Sequence, residues 1–483
     1  MPFDVSARLL HASVVHQHIK LERHRPAARP LEPETEPGAP DGITQSCPNR
    51  RVRAGGTQDL HTPCSRMRNV LCVLLAGGAG ERLYPLTRDR AKPAVPFGGV
   101  YRIVDVTLRN CVNSGLRRIF ILTQYKSLSL NRHIRFGWNI FARELGEFIE
   151  ILPPMQRVSE HWYLGTADAV YQNIYSILAE DPEYVLILAA DHIYKMNYAP
   201  MLEQHLETGA DVTVGTIHQP LSEAHRLGVV TVDSEERITG FLEKPRGDLL
   251  QSLAGDGFVH ASMGIYLFTA SKLIEILQED AMNRKSNHDF GRDILPEILH
   301  RYRVCSYNFI DENRKEALYW RDVGTIDAYY EANMDLVSVS PIFNLYDQGW
   351  PIRTLQEQNP PAKFVFALAD GRMGVALDSI VSHGCIISGG RVVQSVLSPG
   401  VRVNSYAEVD RSILFSYVNV GRFARLRRCI IERGVSIPEN IQIGFDDQTD
   451  RANGFTVTDS GIVVVGPDSP LTEREQAAVA SLS

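Results

Sequence analysis

Aliphatic side chains return about every six residues near the end of the chain: Ile380, Ile386 and Val392, then Val403 and Val409, Val420 and Leu426, Ile437 and Ile443. That spacing fits neither the alternation of a half-buried strand nor the period of an α-helix. It fits a triangular coil in which each short strand turns one aliphatic residue inward. Small or turn-prone residues then fill the corners, here Gly384, Gly389, Gly400, Asn404, Gly421 and Gly434. The expected fold over residues 376–465 is a left-handed parallel β-helix, with a β-sandwich of chance spacing as the competing reading. Stacked coils leave end coils and flat faces uncovered, so self-association is expected.

Upstream the pattern is different. The runs VLCVLLA, RIFILT, YVLILAADHIY and DVTVGTI are short, rich in Val, Ile and Leu, and separated by amphipathic stretches. Such runs predict buried parallel strands of an α/β sheet, a Rossmann-like domain spanning residues 67–336. A connector over 337–375 holds the turn-forming sequence Asn359-Pro360-Pro361-Ala362-Lys363. Residues 1–66 mix His, Arg, Pro and Glu without apolar periodicity, which predicts disorder. A transit peptide is the alternative there, but Glu32, Glu34 and Glu36 are foreign to such segments. Met67 just precedes the first strand and is the expected natural start; residues 466–483 read as a tail.

Bulk properties narrow the function. A formal net charge of -7 argues against a general nucleic-acid binder, which needs a basic surface to replace counterions on phosphates. The 7 cysteines include no CxxC pair, so neither a zinc site nor a disulfide framework is indicated, and a reducing cytoplasm fits. No apolar run approaches the roughly 20 residues of a membrane span, and no signal-peptide core is present.

The stretch Leu75-Ala76-Gly77-Gly78-Ala79-Gly80-Glu81-Arg82-Leu83-Tyr84-Pro85-Leu86-Thr87 follows the first predicted strand, where open α/β sheets bind nucleotides. Glycines let backbone N–H groups approach a polyphosphate, and Arg82 and Lys92 supply positive charge. A dinucleotide fingerprint would need glycine at Leu83, and a P-loop would need GK[ST]. Asp191 ends the strand beginning at Tyr184, which puts a carboxylate at the same sheet edge, suited to magnesium.

Together with the KP of Arg90-Ala91-Lys92-Pro93, these residues resemble the entry motif of the nucleotide-sugar pyrophosphorylases, GGxGxRLxPLT followed by KP. Further segments are similar to the ADP-glucose pyrophosphorylases within that family: PAVPFGGVYRIVD, NCVNSG, TQYKS, WYLGTADAV, LAADHIYK, FLEKP, ASMGIYLF, HDFG, YWRDVGT, WPIRT and PPAKF. The resemblance runs in order from about Val70 to Gly444.

It implies a nucleotidyltransferase that joins ATP and glucose 1-phosphate to give ADP-glucose and pyrophosphate for glycogen synthesis, with Mg2+ as cofactor. Rival readings are a relative using UTP or dTTP, and a catalytically silent regulatory subunit. The resemblance places Arg82 and Lys92 on the departing phosphates and makes Asp322 the second magnesium carboxylate beside Asp191. It sets Gly77, Gly78, Gln124, Tyr163 and Gly165 around the nucleotide, and Gly228, Glu243, Lys244, Ser262 and Asp289 around the sugar phosphate. The reaction calls for little acid–base help, because the sugar phosphate is already an anionic nucleophile; catalysis should rest on positioning and on cations.

The same resemblance implies a homotetramer tuned by a phosphorylated metabolite bound between the sheet domain and the β-helix. Arg90, Arg102, Arg422, Arg425, Arg427 and Arg428 are matching cations, of which Arg90, Arg102, Arg422 and Arg427 are the expected effector ligands. Where some relatives carry an Arg between the glycines and a Lys before the RAKP element, this chain has Ala79 and Asp89. A monophosphate or weak effector response is therefore expected.

Overall fold

The run Val70–Ala76 is buried on both sides, which is why it lacks alternation. Its even residues Cys72, Leu74 and Ala76 enter one apolar cluster, and Leu71 and Val73 enter another across the sheet. Helices Ile103–Asn113, Leu128–Gly137 and Ala199–Thr208 cover the first face. Helices Thr166–Gln172, Ile174–Ala179 and Ala270–Met282 cover the second. This computed structural model describes residues 66–471 except 79, 155–161, 247–256, 316–317, 368–371 and 470. The expected disordered stretch 1–66 lies outside them but for its last residue, as do Ala79 and all of the tail beyond 471.

Among the described residues the sheet has nine strands. Val70–Ala76 pairs in parallel with Arg118–Thr123 and Tyr184–Ala189, and Phe148–Leu152 continues in parallel beyond Arg118–Thr123. The long strand Phe258–Thr269 is antiparallel to Tyr184–Ala189, to Val212–Pro220 and to Gly228–Val232. Val304–Asn308 lies parallel beside Val212–Pro220, and Ile238–Glu243 closes a hairpin with Gly228–Val232. All four apolar runs named above therefore point the same way, with their C-terminal ends along one edge. The sheet is mostly parallel, as expected. Among the described residues no helix is long and apolar enough to cross a membrane.

The second part is a left-handed parallel β-helix. Three columns of short parallel strands form its faces, one starting at Lys363–Val365, one at Val375–Leu377 and one at Ile380–Val381. Ile387, Val403, Val420 and Ile437 stack in one column, and Val392, Val409, Leu426 and Ile443 in another. All eight are essentially inaccessible to solvent. Two beats of the sequence reading are one residue out of register. The inward neighbours are the buried Ile387 and the half-buried Val381, which pack on the coil core, rather than Ile386 and Ile380; Ile380 packs on the sheet-domain side instead.

The third face, which begins at Ile380–Val381, explains the slip at Ile380. There Leu397, Leu414, Ile431 and Val465 point into the coil, while the adjacent Val396, Ile413, Ile430 and Val464 point out and are equally buried. They pack against Leu83, Phe97, Ile103, Tyr329, Phe343 and neighbouring side chains of the sheet domain. Helix Ile326–Leu336 lies in this junction, where the Tyr330 hydroxyl donates to the Arg411 carbonyl at 2.6 Å. Both sides of these strands are thus apolar, and periodicity alone cannot tell in from out.

Candidate active site

Three strands end side by side at Ala76, Thr123 and Ala189, and the residues that follow them form the rim of the site. After Ala76 the chain turns at Gly80, whose φ of 66° is in the left-handed region. A Cβ at Gly80 would lie 3.0 Å from Thr87 Cγ2 and 3.3 Å from Lys92 Cβ, so glycine is also what lets the turn close onto Lys92. Thr87 Oγ1 donates to the Gly80 carbonyl at 2.8 Å and fixes the turn's far side. Gly78 is open to solvent, and Gly77 abuts Gln124.

Lys92 is buried between two carboxylates, its Nζ 2.7 Å from Asp191 Oδ2 and 3.2 Å from Asp322 Oδ1. Burial disfavours the ammonium, but the two carboxylates outweigh it and hold the Lys92 pKa above the usual lysine value. Burial likewise pushes the Asp191 carboxyl up. The charges of Lys92 and then His192 reverse this and leave it well below the usual carboxylate range. Asp322 reaches the site because Trp320–Asp322 pairs antiparallel with His192–Tyr194, which sets Asp322 opposite His192. His192 Nε2 lies 3.6 Å from Asp191 Oδ1 and 3.9 Å from Asp322 Oδ1. A Cβ on Gly324 would stand 3.1 Å from both Arg82 Nη2 and the Asp322 carboxylate, which puts Arg82 in the same cluster.

Among the described residues, Asp191, His192 and Asp322 are the one group able to offer three metal ligands, their ligand atoms all within 4.8 Å of one another. Two carboxylates suit a hard divalent cation, and the Lys92 ammonium lodged between them marks a place where positive charge is favoured. The donors fit magnesium.

A second group gathers around Glu243. Its Oε2 would be 2.9 Å from a Cβ at either Gly228 or Gly291, so both glycines make room for this carboxylate. Lys244 forms an ion pair with Glu243 and adopts φ 48°, a backbone setting unfavourable for a lysine and common where function fixes the chain. The Asp289 carboxylate accepts from the backbone N–H groups of Gly291 and Arg292 at 3.0 Å each, and from Thr166 Oγ1 at 3.0 Å. These bonds fix the carboxylate's position. Ser262 is buried on Phe258–Thr269 and accepts from Gly264 N at 3.4 Å, and Gly264 faces His192. Ser262 thus lies two residues from a glycine that adjoins the charged group.

Of the residues expected around the nucleotide, Gln124 Nε2 donates to the Tyr163 carbonyl at 3.4 Å, and the Tyr163 hydroxyl accepts from Asn173 Nδ2 at 2.9 Å. Tyr163 packs half-buried on the sheet core. Gly165 is pressed against the segment before Asp289: a Cβ there would meet the His288 carbonyl oxygen at 2.2 Å.

The cationic residues read as effector ligands separate into two places. Arg90 and Arg102 line a cleft between the sheet domain and the β-helix, joined by His383, Ser416 and Arg433. Arg422 and Arg427 do not join them. Strand Arg425–Arg427 belongs to a different face of the β-helix, where Arg427 Nε lies 3.7 Å from Asp410, and Arg422 is exposed at the preceding corner. Arg433, which follows the strand Cys429–Ile431 on the face turned to the sheet domain, lines the cleft with Arg90 and Arg102 instead. Burial pushes the Arg102 guanidinium down to about 10, opposed by Asp105 and reinforced by the charges of Arg90 and Arg433. The cleft is electropositive.

His192, Gly264, Gly291, Gly324 and Arg433 are additions the sequence reading did not single out. His192 stood within the quoted LAADHIYK segment, next to Asp191, and that adjacency was the one available signal.

Both parts of the chain resemble known proteins. Residues 71–339 match the nucleotidyl transferase family, and residues 360–465 match the GlmU-like C-terminal hexapeptide family. The chain is 65% identical over 409 residues to a glucose-1-phosphate adenylyltransferase of Koribacter versatilis (strain Ellin345), covering 84% of this chain and 98% of that protein. It is 56% identical over 402 residues to one from Rhodopirellula baltica (strain DSM 10527 / NCIMB 13988 / SH1), covering 83% and 90%. It is 52% identical over 401 residues to one from Methylococcus capsulatus (strain ATCC 33009 / NCIMB 11132 / Bath), covering 83% and 94%.

Proposed function

The chain belongs to the glucose-1-phosphate adenylyltransferases of the nucleotidyl transferase family, and from that premise we propose how its residues carry out the reaction. The enzyme transfers AMP from ATP to glucose 1-phosphate and yields ADP-glucose and pyrophosphate. A phosphate oxygen of the sugar phosphate forms a bond to the α-phosphorus while the bond from that phosphorus to the bridging oxygen of the β-phosphate breaks. No proton need move. The barrier is mainly the approach of two anions, so the work of the site is positioning and charge.

The observation that carries this reading is Lys92 seated between Asp191 and Asp322 under the glycine turn. Asp191 and Asp322 would hold a magnesium ion, with His192 beside them. Bound there, the ion supplies positive charge to phosphate oxygens. Lys92, kept charged by its two partners, and Arg82, at the same rim, offset the charge that collects on the departing pyrophosphate. Backbone N–H groups around Gly77, Gly78 and Gly80 face the triphosphate. Glu243 accepts sugar hydroxyls and Lys244 binds the sugar phosphate, which would draw the ammonium from its present partner. Gln124 and the turn at Tyr163 and Gly165 accommodate adenine.

The cleft with Arg90, Arg102 and Arg433 is read as the seat of a phosphorylated effector, since guanidinium forks bond two oxygens of one phosphate. A homotetramer is the proposed assembly. Pyrophosphate release by the purified chain with ATP, Mg2+ and glucose 1-phosphate tests the central reading; equal rates with UTP or dTTP would overturn the assignment to ATP.

A further inference from the structure

Arg90 is the wall between two clefts. On one side it meets the cationic cleft with Arg102 and Arg433; on the other it meets Arg88, Asp89, Glu432 and Asp468. Its guanidinium is engaged toward the second. Arg90 Nη2 lies 2.7 Å from Glu432 Oε1, with the two side chains only 16% and 8% exposed. A charge-assisted pair so shielded from water outweighs an exposed one. Glu432 is also fixed in place: the same Oε1 accepts from Arg433 N at 2.8 Å, and the Glu432 N–H donates to the Val465 carbonyl at 2.9 Å. An arginine facing the phosphate cleft is therefore held by a carboxylate supplied by the β-helix.

We propose that Glu432 is a built-in counter-ion that competes with the effector phosphate for Arg90, so that filling the cleft transfers Arg90 from Glu432 to the ligand. This rests on the reading of the cleft as a phosphate site given above. The exchange has a direct route to the chemistry, because Arg90 is joined through the buried Ala91 to Lys92, the cation between Asp191 and Asp322. Glu432 thereby sets the phosphate concentration at which the cleft fills. Binding to a protein whose competent form is a minor fraction is weakened by that fraction.

The test is calorimetric titration of the full chain with inorganic phosphate, alongside thermal melting with and without phosphate. Glu432→Gln is expected to bind phosphate about five- to tenfold more tightly, as a cation held captive about nine-tenths of the time is released. In an Arg90→Gln background the same change should bring no gain, because the contested cation is gone. Unchanged or weaker binding by Glu432→Gln overturns the proposal. So does a gain that persists in the Arg90→Gln background, since that would reflect removal of a negative charge in general. Arg433→Ala separates the two readings: if it binds phosphate as the unaltered chain does, the cleft is not the phosphate site. Should Glu432→Gln fail to fold, Glu432→Asp, with a shorter reach to Arg90, should give a smaller gain, and no gain there would count against competition.

Discussion

Asp322 stands directly across from His192 in a short antiparallel ladder, and that pairing brings the second carboxylate to within reach of Asp191. The charged centre is thus assembled by tertiary pairing, and its parts can be probed one by one.

Asp191→Asn keeps the shape and removes the charge that holds Lys92. Turnover should fall on the order of a hundredfold or more, as for the loss of a fixed electrostatic element. Steady-state rates at saturating substrates measure it, and an unchanged rate would remove Asp191 from the metal site.

Lys244→Ala should raise the Michaelis constant for glucose 1-phosphate while that for ATP changes little. Lys244 is mostly exposed and, among the described residues, its ion pair is with its neighbour Glu243, so stability should hold. Equal effects on both substrates would contradict its place on the sugar phosphate.

Gly324→Ala would push a methyl group to 3.1 Å from Arg82 Nη2 and from the Asp322 carboxylate. Displacing these groups should lower turnover by roughly tenfold or more with little change in melting temperature. A melting temperature lowered in step with activity would point to a packing role instead.

His205 gives a pH dependence of stability. It is buried, with Nδ1 2.8 Å from Thr213 Oγ1 and Nε2 3.1 Å from Thr269 Oγ1, and burial pushes its pKa down to about 4. The unfolded chain takes up this proton near the ordinary histidine value of about 6.5. Between those values the unfolded state binds more protons, so stability drops as the pH falls from 6.5 toward 4, by about 2 kcal/mol at pH 5. His205→Gln should lack this part of the acid loss, which urea titrations at neutral pH and at pH 5 would reveal.

Asp89 pairs with Arg88 at 2.7 Å, and Arg88 also pairs with Asp468, so this end of the interdomain region carries acidic charge. Fructose 1,6-bisphosphate should therefore activate no better than a sugar monophosphate. Strong activation by the bisphosphate in a rate assay would overturn this.

What could be read from the sequence was chemistry carried by neighbours in the chain. The glycine turn, Arg82, Lys92 and Asp191 each sit at a strand end or in a short motif, where residue type and position together specify a role. Residues delivered by distant pairing were less legible. Asp322 gained its place from the ladder opposite His192, and Arg433 from the face of the β-helix that meets the sheet domain. Arg422 and Arg427 looked equivalent to it because nothing in a run of arginines tells which face each will occupy. The register slip at Ile386 has a related cause: in Ile386-Ile387 two adjacent aliphatic residues compete for one inward position.

The outward row Val396, Ile413, Ile430 and Val464 makes the solenoid a buttress for the half that binds substrate. A polypeptide cut short before residue 360 would retain every group of the AMP-transfer pocket. It would also bare Phe97, Tyr329 and Phe343 to water, an apolar scar with a strong tendency to aggregate. On the proposed reading, the residues of the transfer pocket and the cover for this apolar surface are therefore encoded in different parts of the chain.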